Sequence, residues 1–314
     1  MMKKTSKAVM GVALAALVLG ATGQARAELV YGYGINNGAN LIFSFDSATP
    51  QTVISSALIT GLSANDMLQG IDIRPATGAL YGFGNSNNLY TINSLTGMAT
   101  LQSNVGPAAD GAQGIDFNPV PDRLRIVTSV DQNLRANVDT GATITDTSLA
   151  YAMGDPNFGT NPNIVGAGYT NSRAGATSTT LYDIDSNLNT LAIQTNPNAG
   201  TLKTVGALGV DISDVAELDI SGQTNVAYLS NANPTSNISS FYTVNLGTGA
   251  ASFVGNFNPI VGQVNGIAVA APVPEPGTMA LMGLGVASLA ARAAARKHLK
   301  KMLHWKFDRV APVC

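Results

Sequence analysis

The chain has 314 residues, of which 45% are apolar and only 11% are charged, and its formal net charge is −2. Its apolar residues are mostly scattered among Asn, Thr, Ser and Gly, which excludes a multi-span membrane protein, and they are too numerous for a disordered chain. The charge is unevenly distributed, because residues 28–272 contain six Lys and Arg against 17 Asp and Glu, a net charge of −11. An acidic surface of this kind repels phosphate backbones, so nucleic acid is excluded as a partner.

The first 27 residues have the three parts of a secretory signal peptide. Three lysines precede an apolar stretch over residues 8–19, and Ala25 and Ala27 frame an A-x-A cleavage site. Cleavage there makes Glu28 the first residue of the mature protein. A transmembrane anchor is the alternative, but the stretch is shorter than the roughly 18 apolar residues that a spanning helix needs.

A short strand motif then recurs along the chain. It occupies residues 70–73, 114–117, 166–169, 216–220 and 266–269. The spacing between successive copies is that of one four-stranded propeller blade. Short strands of alternating apolar residues, bounded by Gly, Asn and Asp, fill the intervals between copies. The pattern therefore predicts an all-β fold of the propeller class.

The two ends of this region predict how the ring closes. One strand, 266–270, remains at the C-terminal end, whereas three strands, 29–34, 41–45 and 52–58, precede the first copy of the motif. Together they make one complete blade, which removes the exposed sheet edge. Four internal units and this composite blade predict a five-bladed β-propeller. A β-sandwich and a β-solenoid are the alternatives.

The region 28–272 contains no His, Cys or Trp, since all of these lie within residues 298–314. Nucleophilic catalysis through a Ser-His-Asp or Cys-His arrangement is thereby excluded, as are zinc sites built on His or Cys and disulfides. The remaining chemistry is that of Asp carboxylates, or the coordination of a hard cation such as Ca²⁺ by oxygen atoms.

One segment has the spacing of a calcium loop, Asp183-x-Asp185-x-Asn187-x-Asn189. It fails as an EF-hand because Leu188 stands where Gly is required, and we interpret it as a solvated hairpin. We predict no cofactor and assign no metal ligand, and we keep a bound Ca²⁺ ion as an alternative.

Three of the six cationic residues of this region lie close together. Arg123 and Arg125 share one face of a predicted strand, and Arg135 belongs to the next strand. With Asp116 they form either an anion or sugar-acid site or a structural ion network between blades, and we favour the structural network.

The same part of the chain carries a family resemblance. Residues 114–119, 122–127 and 133–137 resemble domain of unknown function 4394, a secreted bacterial domain with a propeller-like fold. The resemblance covers nearly all of residues 29–270. It implies the fold but brings no activity and no site residues.

The C-terminal end has a second tripartite pattern. A Pro-Glu-Pro motif precedes an apolar run over residues 278–291, and a basic cluster follows. This pattern resembles the PEP-CTERM sorting signal of Gram-negative bacteria, which implies recognition by an exosortase, a membrane transpeptidase. The motif residues are Val273, Pro274, Glu275, Pro276, Arg292 and Arg296. An ordinary tail anchor is the alternative, although the apolar run is short for one.

The sequence thus predicts four segments: a signal peptide (1–27), a propeller domain (28–272), a sorting signal with a short transmembrane helix (273–301) and an atypical tail (302–314). We expect a non-catalytic protein that is secreted to the surface of a Gram-negative bacterium through an inner-membrane intermediate. Its expected role is to bind or scaffold exopolysaccharide in a biofilm matrix, and only its terminal segments would enter the membrane. The alternatives are an Asp- or Ca²⁺-dependent enzyme acting on polysaccharide or lactone, and a self-assembling structural coat protein.

Overall fold

In a computed structural model of the protein, residues 27–270 are described, except 107, 108, 112, 234 and 237. These residues form 21 β-strands in five sheets, together with two 3₁₀ turns at Pro197–Ala199 and Pro259–Val261. No helix in this part of the chain is long and apolar enough to cross a membrane. The predicted signal peptide up to residue 26, the sorting signal and the tail lie outside the described residues.

Each sheet is one blade. Blade 1 contains β1 (Leu29–Asn36), β2 (Ala39–Asp46), β3 (Val53–Leu58) and the last strand of the chain, β21 (Gln263–Val269). Blade 2 contains β4 (Leu68–Ile73), β5 (Leu80–Gly84), β6 (Asn88–Ile92) and β7 (Ala99–Asn104). Blade 3 contains β8 (Gln113–Asn118), β9 (Arg123–Thr128), β10 (Asn133–Ala136) and β11 (Thr143–Thr145). Blade 4 contains β12 (Ala150–Tyr151), β13 (Ile164–Tyr169), β14 (Leu181–Asp185), β15 (Thr190–Asn196) and β16 (Thr201–Ala207). Blade 5 contains β17 (Ala216–Ile220), β18 (Ala227–Asn233), β19 (Ile238–Val244) and β20 (Ala251–Asn256).

The inner strands β21, β4, β8, β13 and β17 contact one another in turn and surround the axis of the ring. The prediction of a five-bladed propeller is confirmed. Blade 4 differs from the expected four-stranded unit, because β12 adds a short parallel strand at its outer edge.

The ring closes through the composite blade predicted from the two ends of the domain. Strand β21 pairs antiparallel with β1, so that Val30 faces Val269. Glu28, just before β1, is buried and accepts hydrogen bonds from Ser221 at 2.5 Å and from Tyr228 at 2.9 Å, both in blade 5. The residue predicted to begin the mature chain is therefore anchored across the closing interface.

The hydrophobic core is divided into five clusters, one at each interface between neighbouring blades. Four of them are mainly aliphatic and contain at most three buried aromatic residues each. The cluster between blades 5 and 1 is dominated by packed rings, among them Phe45, Phe241 and Phe257, whose centroids lie 5.1 to 5.5 Å apart. Edge-to-face packing of this kind contributes beyond the area that it buries, so the ring is closed by its most aromatic interface.

Candidate functional site

The inner strands bring three aspartates to the axis of the ring. Asp72, Asp116 and Asp219 occupy equivalent positions in β4, β8 and β17, where β13 has Gly168 and β21 has Ala268. The apolar residues on either side of each aspartate point to the opposite face of the strand, because side chains alternate. One carboxylate oxygen of each aspartate lies within 4.8 Å of those of the other two. Three buried carboxylates from three blades thus converge.

Two of these carboxylates are fixed by backbone amides. Asp72 accepts hydrogen bonds from the N–H of Ile73 at 2.6 Å and from Phe117, in the next blade, at 2.7 Å. Asp219 accepts the corresponding pair from Ile220 at 2.6 Å and Val269 at 2.5 Å. The same carboxylate-to-next-blade contact is therefore made twice around the ring.

Asp116 and Glu217 differ from these two. Each is 1% exposed, and neither carboxylate oxygen of either residue has a hydrogen-bond partner of good geometry. Glu217 lies two residues before Asp219, and its Oε2 is 2.9 Å from the point where a β-carbon would stand on Gly70 of blade 2. Glu217 therefore extends across the axis into the space beside the three aspartates, and the missing side chain of Gly70 makes room for it.

Burial and mutual repulsion disfavour the charged form of these acids. Burial raises the pKa of Asp116 and of Glu217 well above the ordinary values, and the charges of Asp72 and Asp219 raise both further. Nearby backbone N–H groups oppose the increase, that of Tyr169 for Asp116 and those of Leu218 and Ile115 for Glu217. The pKa of Asp72 is raised well above its usual range by burial and by the charge of Asp219, against the effect of its backbone hydrogen bonds. Burial raises the pKa of Asp219 to about 6, with the N–H groups of Val269 and Ile220 opposing it. The axial cluster therefore needs protons or a cation.

A cavity of about 300 Å³ opens next to these acids at the C-terminal ends of the inner strands. Its lining includes Asp72, Asp219 and, from neighbouring loops, Arg173 and Gln223. The cavity gives small ions a path from solvent to the cluster.

A second depression of about 660 Å³ lies between blades 1 and 5, and we call it the amide groove. It is lined by Asn36, Asn37, Gln51, Ile238, Phe253 and Asn256, among others, and no charged residue is found among its described lining residues. Phe253 is 60% exposed, and its ring lies edge-on against Tyr242 with centroids 5.6 Å apart. An exposed aromatic ring beside uncharged amides suits a neutral polar ligand with apolar faces.

The four residues predicted to form an ion network are not all brought together. Arg125 and Arg135 face each other in β9 and β10 and share Asp146, with N–O distances of 2.7 and 2.5 Å. Arg125, which is 1% exposed, also donates to Asn198 at 3.0 Å and so links blade 3 to blade 4. Arg123 instead donates to backbone carbonyls near its own turn. Asp116 is the cross-strand neighbour of Arg125 in β8 and β9, but it makes no ion pair with it in the described part of the chain and its carboxylate lies in the axial cluster.

The segment beginning at Asp183 has the geometry of a hairpin. The Asp185 carboxylate accepts hydrogen bonds from the backbone of Asn163, Asn187 and Leu188 and from the Tyr151 hydroxyl at 2.7 Å. Asp183 lies on the same face of the strand, and neither of its oxygens has a hydrogen-bond partner of good geometry. Both aspartates are fully buried, so the prediction of a solvated hairpin is wrong at these two positions.

Reasoning from the sequence missed Asp72, Asp219 and Glu217. The available signal was an acidic residue at the same position of the repeated motif in three of its five copies, within strands predicted to be buried. Buried carboxylates are rare unless they are paired or bound to metal. An acidic residue that recurs at one buried position of the motif therefore indicates a candidate site where the inner strands meet.

Several solved structures are similar to the chain. The WD40 domain of Toxoplasma gondii coronin is 11% identical, with a TM-score of 0.37 over 74% of this chain and 58% of that one. A protein of unknown function from Bacteroides thetaiotaomicron is 13% identical, with a TM-score of 0.45 over 71% and 55%. A Lactobacillus plantarum protein is 15% identical, with a TM-score of 0.39 over 78% and 72%. The chain thus spans little more than half the length of the first two, and the propeller assignment rests on its own sheet topology.

No curated protein sequence matches the chain. Two family models do. The PEP-CTERM protein-sorting motif matches residues 272–297, which means that the protein is exported by the sorting pathway to the cell envelope or surface. The model described as "Domain of unknown function (DUF4394)" matches residues 41–268, more than half of the chain. The protein is therefore a PEP-CTERM protein whose propeller belongs to the DUF4394 family.

Proposed function

We propose that this protein is a non-catalytic component of the extracellular matrix of a Gram-negative bacterium and binds exopolysaccharide in its amide groove. An exosortase would act on the sorting signal while the chain is held at the inner membrane, as a transient partner. The observation that carries the proposal is the uncharged groove with the exposed ring of Phe253, on a domain that is otherwise strongly acidic.

Charge supports a neutral stretch of polysaccharide as the ligand. A domain with a net charge of −11 repels anionic polymers over much of its surface. The amide groove places Asn and Gln side chains, which both donate and accept hydrogen bonds, beside apolar surface. Sugar rings present hydroxyl groups and apolar C–H faces, so both parts of the groove have a complementary partner.

A non-catalytic role is supported by the residues available. The domain contains no His or Cys, and the groove has no acid or base among its described lining residues. The axial cavity is the one place that favours the alternative, an Asp- or Ca²⁺-dependent enzyme, because Asp72 and Asp219 line it. The test below therefore measures polymer length as well as binding.

The experiment is co-sedimentation of the exported protein with exopolysaccharide purified from its host. We expect saturable binding without polymer shortening, and about tenfold weaker binding for Phe253→Ala, because the stacking surface is lost. Leu101→Ala is the matched control, since Leu101 is a similarly exposed apolar residue on the outer strand of blade 2, and it should bind like the wild type.

Shortening of the polymer would overturn the non-catalytic assignment. Sedimentation of the protein in the absence of polymer would favour the structural coat. Equal binding by Phe253→Ala and the wild type would remove the groove from the proposal.

A further inference from the structure

In the described part of the chain, none of the four acids on the axis forms an ion pair with a basic residue, although Arg173 lines the cavity beside Asp72 and Asp219. Among the described residues, the arginines that form ion pairs are Arg74, Arg125 and Arg135, and their partners are Asp122, Asp139 and Asp146. Asp72, Asp116, Glu217 and Asp219 are all buried and make no such pair. An isolated buried carboxylate is strongly unfavourable unless it is neutralised or coordinates a metal.

The spacing of the oxygens matches a single ion. Calcium binds oxygen at about 2.3–2.6 Å, so two ligands of one ion lie no more than about 5 Å apart. The three aspartates each present an oxygen within 4.8 Å of the others. Backbone hydrogen bonds already hold Asp72 and Asp219 at these positions, so coordination would require little rearrangement of two of the three ligands.

An independent observation comes from oxygens that lack a hydrogen bond of good geometry, although backbone N–H groups lie near them. Both oxygens of Glu217 lack a hydrogen bond of good geometry, although the side chain is 1% exposed and crosses the axis towards Gly70. Both oxygens of Asp116 likewise lack a hydrogen bond of good geometry. Buried polar atoms of native proteins are nearly always satisfied, so these four oxygens point to a ligand that accepts electron pairs.

We propose that Asp72, Asp116 and Asp219 bind one Ca²⁺ ion on the axis of the propeller, with the carboxylate of Glu217 beside them as a further negative charge that favours the ion. The ligand set contains only oxygen, which suits a hard cation rather than zinc or copper. Calcium is favoured over magnesium because Mg²⁺ demands a near-ideal octahedron and keeps several waters, whereas these ligands come from three separate blades. The cavity lined by Asp72 and Asp219 supplies the entry path. This site is independent of the amide groove.

Bound calcium would tie blades 2, 3 and 5 together at the centre of the ring. Because an ion that binds only the folded state stabilises it by mass action, free Ca²⁺ at about 100 times the dissociation constant raises the ratio of folded to unfolded protein about 100-fold. Extracellular calcium modules bind with dissociation constants of about 10⁻⁴–10⁻³ M, which sets the range to be searched.

The test starts with the exported wild-type protein. It is stripped with EDTA, equilibrated with Ca²⁺ or Mg²⁺ up to about 10 mM, and then assayed for bound metal per chain and for its thermal unfolding midpoint. We expect one bound Ca²⁺, a higher unfolding midpoint with Ca²⁺, and weaker binding of Mg²⁺. Asp116→Asn should weaken calcium binding at least about tenfold, since it removes one charged ligand.

Asp183→Asn is the matched control, because Asp183 is equally buried and also lacks a hydrogen-bond partner but lies on the second strand of blade 4. It should bind calcium like the wild type. The proposal is overturned if the wild type binds no Ca²⁺ and its midpoint is unchanged, which means that protons alone neutralise the cluster. Equal loss of calcium in Asp183→Asn, or equally tight Mg²⁺ binding, also overturns it. The wild-type measurements decide the matter even where a variant fails to fold.

Discussion

Two groups of buried charged residues in this propeller differ in how their charge is balanced. Between blades 3 and 4, Arg125 and Arg135 enclose Asp146, and every guanidinium group has a partner. Burial alone would raise the pKa of Asp146, but hydrogen bonds from Arg135 and Arg125 hold it below its ordinary value. On the axis, four acids meet with no arginine or lysine paired to them in the described part of the chain, and the pKa of each is raised by burial.

The difference separates a structural arrangement from one that is open to a ligand. The network around Arg125 is complete within the protein, so it fixes the position of two blades and requires nothing further. The axial cluster has excess negative charge and oxygens without partners, so it must take up protons or a cation. Arg125 is as deeply buried as the axial acids, although Arg135 is partly exposed, so the presence of a complementary charge rather than burial separates the two groups.

The largest expected effect comes from breaking the complete network. Arg125→Met removes one of the two guanidinium groups that neutralise Asp146 and leaves the amide oxygens of Asn133 and Asn198 without their charged donor. Removing one partner of a buried pair costs about 3–5 kcal/mol when the other charge is left uncompensated. Because Arg135 still pairs with Asp146, we expect the free energy of unfolding to fall towards the lower end of that range in urea denaturation. Arg123→Met is the control and should change it by less than about 0.5 kcal/mol, because Arg123 contacts only backbone carbonyls of its own turn and pairs with no buried charge.

If the two variants were equally stable, the ion network would contribute nothing beyond the packing of its side chains. The axial cluster would then be the more important of the two regions for holding the blades in place.

The sequence predicts the blades much better than it predicts either group of charges. The repeated motif and its spacing reveal the ring because the alternation of apolar residues is local to each strand. The axial site depends on Asp72, Asp116 and Asp219, which are far apart in the chain and meet only because the ring is closed. The local pattern therefore pairs Asp116 with Arg125, its neighbour on the next strand, and gives no sign of Asp72 and Asp219 from the other blades.

The contacts of the arginines likewise could not be predicted from the sequence pattern. Arg123 and Arg125 share a strand face in the sequence pattern, yet Arg123 turns back to the carbonyls of Pro121 and Asp122. The partners of Arg125 include Asp146 and Asn198, which lie in connecting segments whose course no periodicity describes.

Asp183 is intermediate between the paired Asp146 and the unpaired acids on the axis. It is buried and close enough to Arg125 to be affected by its charge, but it forms no ion pair with it. Burial raises the pKa of Asp183 from 3.8 to about 7, although Gln194 and the charge of Arg125 oppose the increase. Between these pH values the carboxyl group of Asp183 holds its proton in the folded state but loses it in the unfolded state. The free energy of unfolding therefore falls as the pH rises from about 4 to 7, and it does not recover at higher pH.

Asp183→Asn removes this titration, and the increase in pKa corresponds to at most about 4 kcal/mol. We expect the variant to exceed the wild type in stability at pH 8 by up to that amount, and to differ little near pH 4. Denaturant unfolding at both pH values is the measurement, with Asp110→Asn, an exposed acid, as control. An equal effect at both pH values would show that Asp183 is not protonated in the folded protein at low pH.

The smallest effect is expected where a balanced pair is open to water. Arg74 of blade 2 reaches Asp122 at 2.6 Å and Asp139 at 2.6 Å, both in turns of blade 3, and Asp139 is 61% exposed. The charges are complementary, as around Arg125, but water screens them, so Asp139→Asn should cost less than about 1 kcal/mol. The loss should shrink further in about 1 M salt, where the screening length falls to about 3 Å, while the loss in Arg125→Met should persist. Urea unfolding of both variants at low and high salt tests this, and a salt-independent loss of several kcal/mol for Asp139→Asn would show that complementary charge outweighs burial in setting the strength of these links.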